Sequence, residues 1–115
     1  MQKNIFGKKG ELIASSYLEN KGYKIIANNY KNKIGEIDII AKDGNVLVFV
    51  EVKTRLSAMY GMPIESVDEK KQRKIRQVAE IYLNSKKLKN VECRFDVVGI
   101  LGDQEEEIEH IVDAF

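Results

Sequence analysis

The chain has 115 residues, 43% hydrophobic and 32% charged, which suits one soluble globular domain spanning 1–115 with a real core and excludes two domains. No apolar run approaches the ~20 residues of a membrane span, and the start, Met1 to Lys9, lacks the apolar core of a signal peptide. The expectation is a cytoplasmic protein with no membrane partner. Cys93 is the single cysteine and His110 the single histidine, which excludes an intrachain disulfide and a Cys/His zinc site within one chain.

The net charge of +1 conceals an asymmetry. An acidic segment from about residue 103 holds Asp103, Glu105, Glu106, Glu107, Glu109 and Asp113 without a Lys or Arg. Setting it aside leaves 19 basic and 12 acidic residues, or +7. A body of that charge can meet nucleic acid, although a solvated lysine-rich surface has the same composition.

Residues 8–20 read as a helix, with Ile13, Ala14, Tyr17 and Leu18 on one stripe and Gly22 placed for a left-handed cap. Glu11 sits on the shoulder of that stripe, where it either points into a cleft or complements the helix dipole. Tyr23–Tyr30 reads as a strand. Asn28, Asn29, Tyr30, Lys31 and Lys33 suit either phosphate contacts or a polar turn.

Gly35 to Lys53 reads as a β-hairpin, two apolar alternating runs at 36–42 and 46–53 about Asp43-Gly44, a favoured type I′ pair. With that turn, Asp38 faces Phe49 and Glu36 faces Glu51. One sheet face then carries Glu36, Asp38, Ile40, Leu47, Phe49, Glu51 and Lys53, core only near the turn. The other carries Ile37, Ile39, Ala41 and Val46, Val48, Val50, Val52 and is apolar throughout. Asp38 and Glu51 become diagonal neighbours with α-carbons roughly 7–8 Å apart. Two carboxylates at ~4 Å repel by about 4 kcal/mol at an effective dielectric of 20, so the pair needs a proton or a cation. Lys53 supplies one positive charge, and Mg²⁺ or Mn²⁺ suits oxygen ligands of this kind.

Beyond Lys53, Thr54–Pro63 has no period and reads as a loop beside the acids, with Arg55 either meeting a phosphate or staying solvated. Ser66-Val-Asp-Glu69 reads as a capping box that starts a helix at Val67, running to about Ser85. Its stripe is Val67, Ile75, Val78, Ala79 and Tyr82. Lys71 occupies a stripe position, so it either snorkels to the rim or reaches a carboxylate, and Gln72 borders the same side. Lys70, Arg73, Lys74 and Arg76 face outward as a candidate phosphate-attracting flank. Cys93–Leu101 is a further strand, whose Asp96 either pairs with a basic residue at a strand edge or supports the acidic site. Ile108–Phe115 is a candidate last strand packed by Ile111 and Phe115.

Asp38 followed by Glu51-Val52-Lys53 in a hairpin, with Glu11 upstream, resembles the core motif of the PD-(D/E)xK nuclease superfamily, with Ile37 where proline is often seen. Gly10-Glu11, Gly35-Glu-Ile-Asp38, Val48-Phe-Val-Glu-Val-Lys-Thr-Arg55, Lys71-Gln-Arg73 and Arg94-Phe-Asp-Val-Val98 look like the YraN-type uncharacterised bacterial family, over nearly the whole chain. That family is similar in fold to archaeal Holliday-junction resolvases. The resemblance implies an α/β, restriction-endonuclease-like fold, a central mixed sheet of four to five strands flanked by helices. It implies Asp38, Glu51 and the Val52 carbonyl as ligands of Mg²⁺ or Mn²⁺, Glu11 as an additional acid, and Lys53 as the group that positions or deprotonates the attacking water. Lys71 or Gln72 would support the site. Arg55, Lys70, Arg73, Lys74 and Lys33 would hold DNA, and a homodimer is the assembly such resolvases adopt. The expected function is metal-dependent endonucleolytic cleavage of DNA, on branched or structured substrates. The alternative is a nucleic-acid-binding or assembly module that keeps the nuclease fold without turnover.

Overall fold

The computed structural model of the chain describes residues 2–55, 67–102 and 107–115, with side chains from residue 9 onward. Its elements are α1 (Gln2–Asn20), β1 (Lys24–Lys31), β2 (Glu36–Asp43), β3 (Val46–Arg55), α2 (Glu69–Ser85), β4 (Cys93–Leu101) and β5 (Glu107–Ile111). The strands form one sheet in the order β1-β2-β3-β4-β5. Only β3 and β4 pair in parallel, and α2 is the crossover between them, as a parallel connection requires. The result is a mixed-sheet α/β protein. Among the described residues, no helix is long and apolar enough to cross a membrane.

Each sheet face is covered by one helix. Ala14 and Leu18 of α1 pack on Ile39, Ala41, Val48, Val50, Val98 and Ile100, and Ile75, Val78, Ala79 and Tyr82 of α2 pack on Ile37, Ile40, Leu47, Phe49 and Val97. The face expected to be core only near the turn has Ile40, Leu47 and Phe49 buried under the crossover helix as expected, and Ile37 carries that core past Asp38. Ile37 belongs to the α2 side, not with Ile39 and Ala41 as simple alternation requires. That break falls beside Asp38.

Several local details differ from the sequence reading. The hairpin turns on Gly44-Asn45, with Asp43 opposite Val46. Gly44 has φ +61 while Asn45 stays negative, the pattern of a type II′ turn with glycine first. Every partner shifts by two, so side-chain parity survives. α1 starts at Gln2 rather than near Lys8, and it ends as expected with Gly22 at φ +96 and Tyr23 N–H donating to the Leu18 carbonyl at 3.0 Å. α2 starts at Glu69, not Val67. Asp68 is its N-cap, accepting from Lys71 N–H at 2.9 Å, while Val67 is buried in the core and anchors the approach to the helix. Ser66 and most of the expected 54–63 loop lie outside the described residues, and β3 itself continues through Thr54 and Arg55.

On the α1 side of the sheet, Asp96 is fully buried and held by four donated hydrogen bonds. Oδ1 accepts from Arg94 Nε at 2.9 Å and Asp113 N–H at 3.0 Å, and Oδ2 from Arg94 Nη2 at 3.1 Å and His110 Nε2 at 2.7 Å. Lys21 Nζ lies 2.8 Å from His110 Nδ1. An ammonium can only donate, so Nδ1 accepts and the ring proton sits on Nε2, facing Asp96. Arg94 reaches on to Tyr23 Oη at 2.6 Å and Asp43 Oδ2 at 3.2 Å. Asp96 thus pairs with basic residues inside the core, apart from Asp38 and Glu51.

Burial alone would raise the Asp96 carboxyl, but the bonds from His110, Arg94 and Asp113 overcome it and hold the group below its ordinary range. A depressed carboxyl stabilises the fold above its unfolded value, near 3.8, and that contribution is lost as pH falls through the folded one. Urea unfolding should therefore show stability falling in the acid range below about pH 4. Asp96→Asn, which leaves the half-buried Arg94 guanidinium short of its main partner, should cost about 3 kcal/mol at neutral pH.

Candidate functional site

The β2–β3 pairing ends at Ile39 opposite Val50. At the next rung the Asp38 side chain takes over: its Oδ2 accepts from Val52 N–H at 2.8 Å, a backbone group that would otherwise pair with β2. The strands thus part at a carboxylate. Continuing the shifted register by one rung sets Glu51 across from Asp38, closer than the diagonal placement expected, where the Asp38 carboxyl acts on Glu51 through hydrogen bonding and charge. Lys71 reaches the pair from α2, with Nζ 3.5 Å from Glu51 Oε2. The stripe position of Lys71 resolves in favour of a carboxylate partner.

Glu51 is only 9% exposed. Burial, the hydrogen bond with Asp38 and the charge of Asp38 push its carboxyl up to about 8, against the attraction of Lys71 and Lys53. In the metal-free protein Glu51 therefore keeps a proton near neutrality. Burial also lowers Lys53 to about 8, assisted by a hydrogen bond with Lys71, while Lys71 itself is raised by its contacts with Lys53 and the two acids, which outweigh burial. The two lysines are thus pushed apart. Lys71 stays an ammonium, and Lys53 becomes an amine that can take a proton near physiological pH. Gly35, Glu36, Glu51, Lys71, Lys74 and Ile75 line a cleft of about 250 Å³ above the pair.

The remaining candidates fall around this centre unevenly. Lys74 lines the cleft, and Lys33, Lys70 and Arg73 are exposed near its rim elements. Gln72 does not reach in: its Nε2 donates to the Val67 carbonyl at 2.9 Å and ties the helix start to the preceding chain. Arg55 is half-buried, with Nη1 donating to the Thr54 carbonyl at 3.0 Å. Glu11 is half-buried on α1 and lines a separate groove of about 470 Å³ with Ser15, Asn28 and Asn29. Among the described residues, no three His, Cys, Asp or Glu side chains gather as a metal-holding group, so Glu11 stands apart from the Asp38–Glu51 pair.

Fold and site together define a mixed-sheet α/β protein with two carboxyls and two lysines at the point where a hairpin opens. Residues 10–100 match the model of the uncharacterised protein family UPF0102, and the chain belongs to that family. It is similar to the UPF0102 protein of Alkaliphilus metalliredigens, 48% identical over the full length of both chains. The UPF0102 protein of Caldanaerobacter subterraneus subsp. tengcongensis is 46% identical over all of this chain and 98% of its own. That of Thermodesulfovibrio yellowstonii is 49% identical over 95% of this chain and 94% of its own. The expected membership of an uncharacterised bacterial family, over nearly the whole chain, holds.

A carboxyl raised by folding stabilises the protein only while protonated: the contribution is complete below the unfolded value of 4.5 and declines as pH rises toward about 8. In the presence of a chelator, wild-type stability should fall across that window. Glu51→Gln should flatten the profile and be more stable than wild type at its alkaline end by about 1–2 kcal/mol. Denaturant titration at a series of pH values checks this, and a flat wild-type profile would contradict it.

Proposed function

We propose that the protein is a metal-dependent endonuclease of the restriction-endonuclease-like, PD-(D/E)xK superfamily, cleaving phosphodiester bonds in DNA, branched or otherwise structured DNA included. The observation that carries this reading is the convergence of Asp38, Glu51, Lys53 and Lys71 where β2 and β3 part, with Glu51 driven toward protonation by burial and by a second acid. Such a pair takes up either a proton or a cation.

The donor set fits a hard divalent ion. Asp38 and Glu51 offer carboxylate oxygens, and in extended backbone the N–H and C=O of one residue point to the same neighbour, so Val52 directs its carbonyl toward β2 as it does its N–H. Mg²⁺ or Mn²⁺ there would neutralise the phosphate and make a nearby water more acidic. The protein's part is to orient and to move a proton. Lys53, with its amine near pKa 8, accepts the proton from the attacking water, and the Lys71 ammonium offsets charge that builds on the phosphate oxygens as the leaving oxygen departs. Lys74 and the exposed Lys70 and Arg73 of α2, with Lys33 on the facing connection, present positive charge to the phosphates on either side.

A second reading, a nucleic-acid-binding module without turnover, draws on the Lys71 ammonium 3.5 Å from Glu51, which offsets the charge of the carboxyl pair within the chain. The two separate on linear, single-stranded, flap and four-way DNA with Mg²⁺ or Mn²⁺. Wild type should cleave at least one substrate only with metal, and Asp38→Ala or Lys53→Ala should lower the rate by about 10²-fold or more. Cleavage unaffected by Asp38→Ala, or no cleavage of any substrate, removes the catalytic reading. Lys74→Ala should weaken binding to all sequences alike and reduce the slope of log affinity against log salt by about 1.

A further inference from the structure

Glu11 belongs to the motif that suggests a nuclease, yet it does not join Asp38 and Glu51 in a metal-holding cluster. Its carboxylate instead meets Asn29. With the amide nitrogen turned to the carboxylate, the orientation that acceptor-only oxygens demand, Asn29 Nδ2 lies 2.9 Å from both Glu11 oxygens. Asn29 has φ 54, in the left-handed region. That backbone lets consecutive side chains turn to the same side of the sheet: Asn28 accepts from Ser15 of α1 at 3.0 Å, and Asn29 meets Glu11 of α1. Ordinary strand alternation would send them to opposite faces.

The rung at which this happens is the one that matters. Asn28 pairs with Ile39 and Tyr30 with Ile37, so Asn29 lies opposite Asp38. On β2 the alternation fails at the same place, since Ile37 packs under α2 and Ile39 under α1. Both strands are therefore distorted where Asp38 leaves the ladder to accept the Val52 N–H.

We propose that Glu11 serves the site through Asn29. The two form a positioning pair that clamps α1 to the distorted rung and so fixes the direction of the Asp38 carboxylate, with Glu11 contributing an acceptor rather than a metal ligand. This rests on the nuclease reading, and the test separates the two.

The decisive variants are Glu11→Ala, Glu11→Gln, Asn29→Gly and the double variant Glu11→Ala/Asn29→Gly. They are compared by Mn²⁺ titration of the whole chain, by kcat on a cleaved DNA substrate and by thermal unfolding. Asn29→Gly keeps the left-handed backbone accessible while removing the amide. Glutamine at position 11 still offers a carbonyl oxygen to Asn29 but no charge. Glu11→Ala and Asn29→Gly should each lower kcat by about tenfold or more, as loss of a supporting contact does, with the double variant no worse than either single one. Glu11→Gln should recover most of the loss, to within about threefold of wild type, because the acceptor and not the charge is what Asn29 uses. A Glu11→Gln protein as impaired in Mn²⁺ affinity as Glu11→Ala would make Glu11 a ligand and overturn the positioning role. So would additive effects of the two single changes, with thermal midpoints near wild type showing that all variants fold. Wild type that binds no Mn²⁺ and cleaves nothing overturns the nuclease reading itself, and the role assigned to the pair falls with it.

Discussion

Two carboxyls held together with little access to water are the constraint around which the molecule is arranged. Glu51 is among the least exposed charged side chains of the described chain, and Asp38 stands opposite it. Separated by solvent they would be unremarkable acids; brought together under α2 they demand compensation. The opening of the hairpin and the inward lysine on the crossover helix each answer that demand. The hydrophobic strands behind them supply rigidity. Val48, Phe49 and Val50 sit at the centre of the sheet, buried from both sides, so the residues that follow along β3 emerge from a fixed base.

Asp96 shows what the same kind of residue does when its surroundings are complete. It is more deeply buried than Glu51, yet it is lowered where Glu51 is raised. The difference lies in the neighbours. Asp96 receives hydrogen bonds from a guanidinium, an imidazole and a backbone N–H, whereas Glu51 shares its space with another acid and meets one ammonium at 3.5 Å. The first arrangement fastens the last strand to the sheet; the second leaves an imbalance that a ligand can relieve.

How much of this was legible in the sequence varies with the range of the interaction. Patterns confined to one element were readable: the apolar stripe of α2, the Gly22 cap and the three strands ahead of α2, short of the last two residues of β3, all follow from local periodicity. The shared side of Asp38 and Glu51 was readable too, since a shift of two in the partner keeps parity. The cap of α2 was misplaced because Ser66 and Asp68 are both good caps, and only packing of Val67 into the core decides between them. His110 could not be read, as its acidic surroundings in sequence gave no hint of a buried partner fourteen positions away. Nor could Asn29, whose left-handed backbone has no signature beyond the tolerance of asparagine for that conformation.

The order of the strands has a kinetic consequence. Three of the four pairings in the sheet join strands adjacent in sequence through short connections, and only β3–β4 must wait for the chain to travel through α2. Contacts of short sequence separation close at small entropic cost and form quickly, while the parallel pairing carries the larger loop penalty. Asp38, Glu51 and Lys53 all lie within the rapidly closing meander, and Lys71 and the Asp96 cluster arrive with the slower docking of α2, β4 and β5. The contact of Lys71 with Glu51 is therefore of long range, and its free energy is tied to the docking of α2 that completes the sheet.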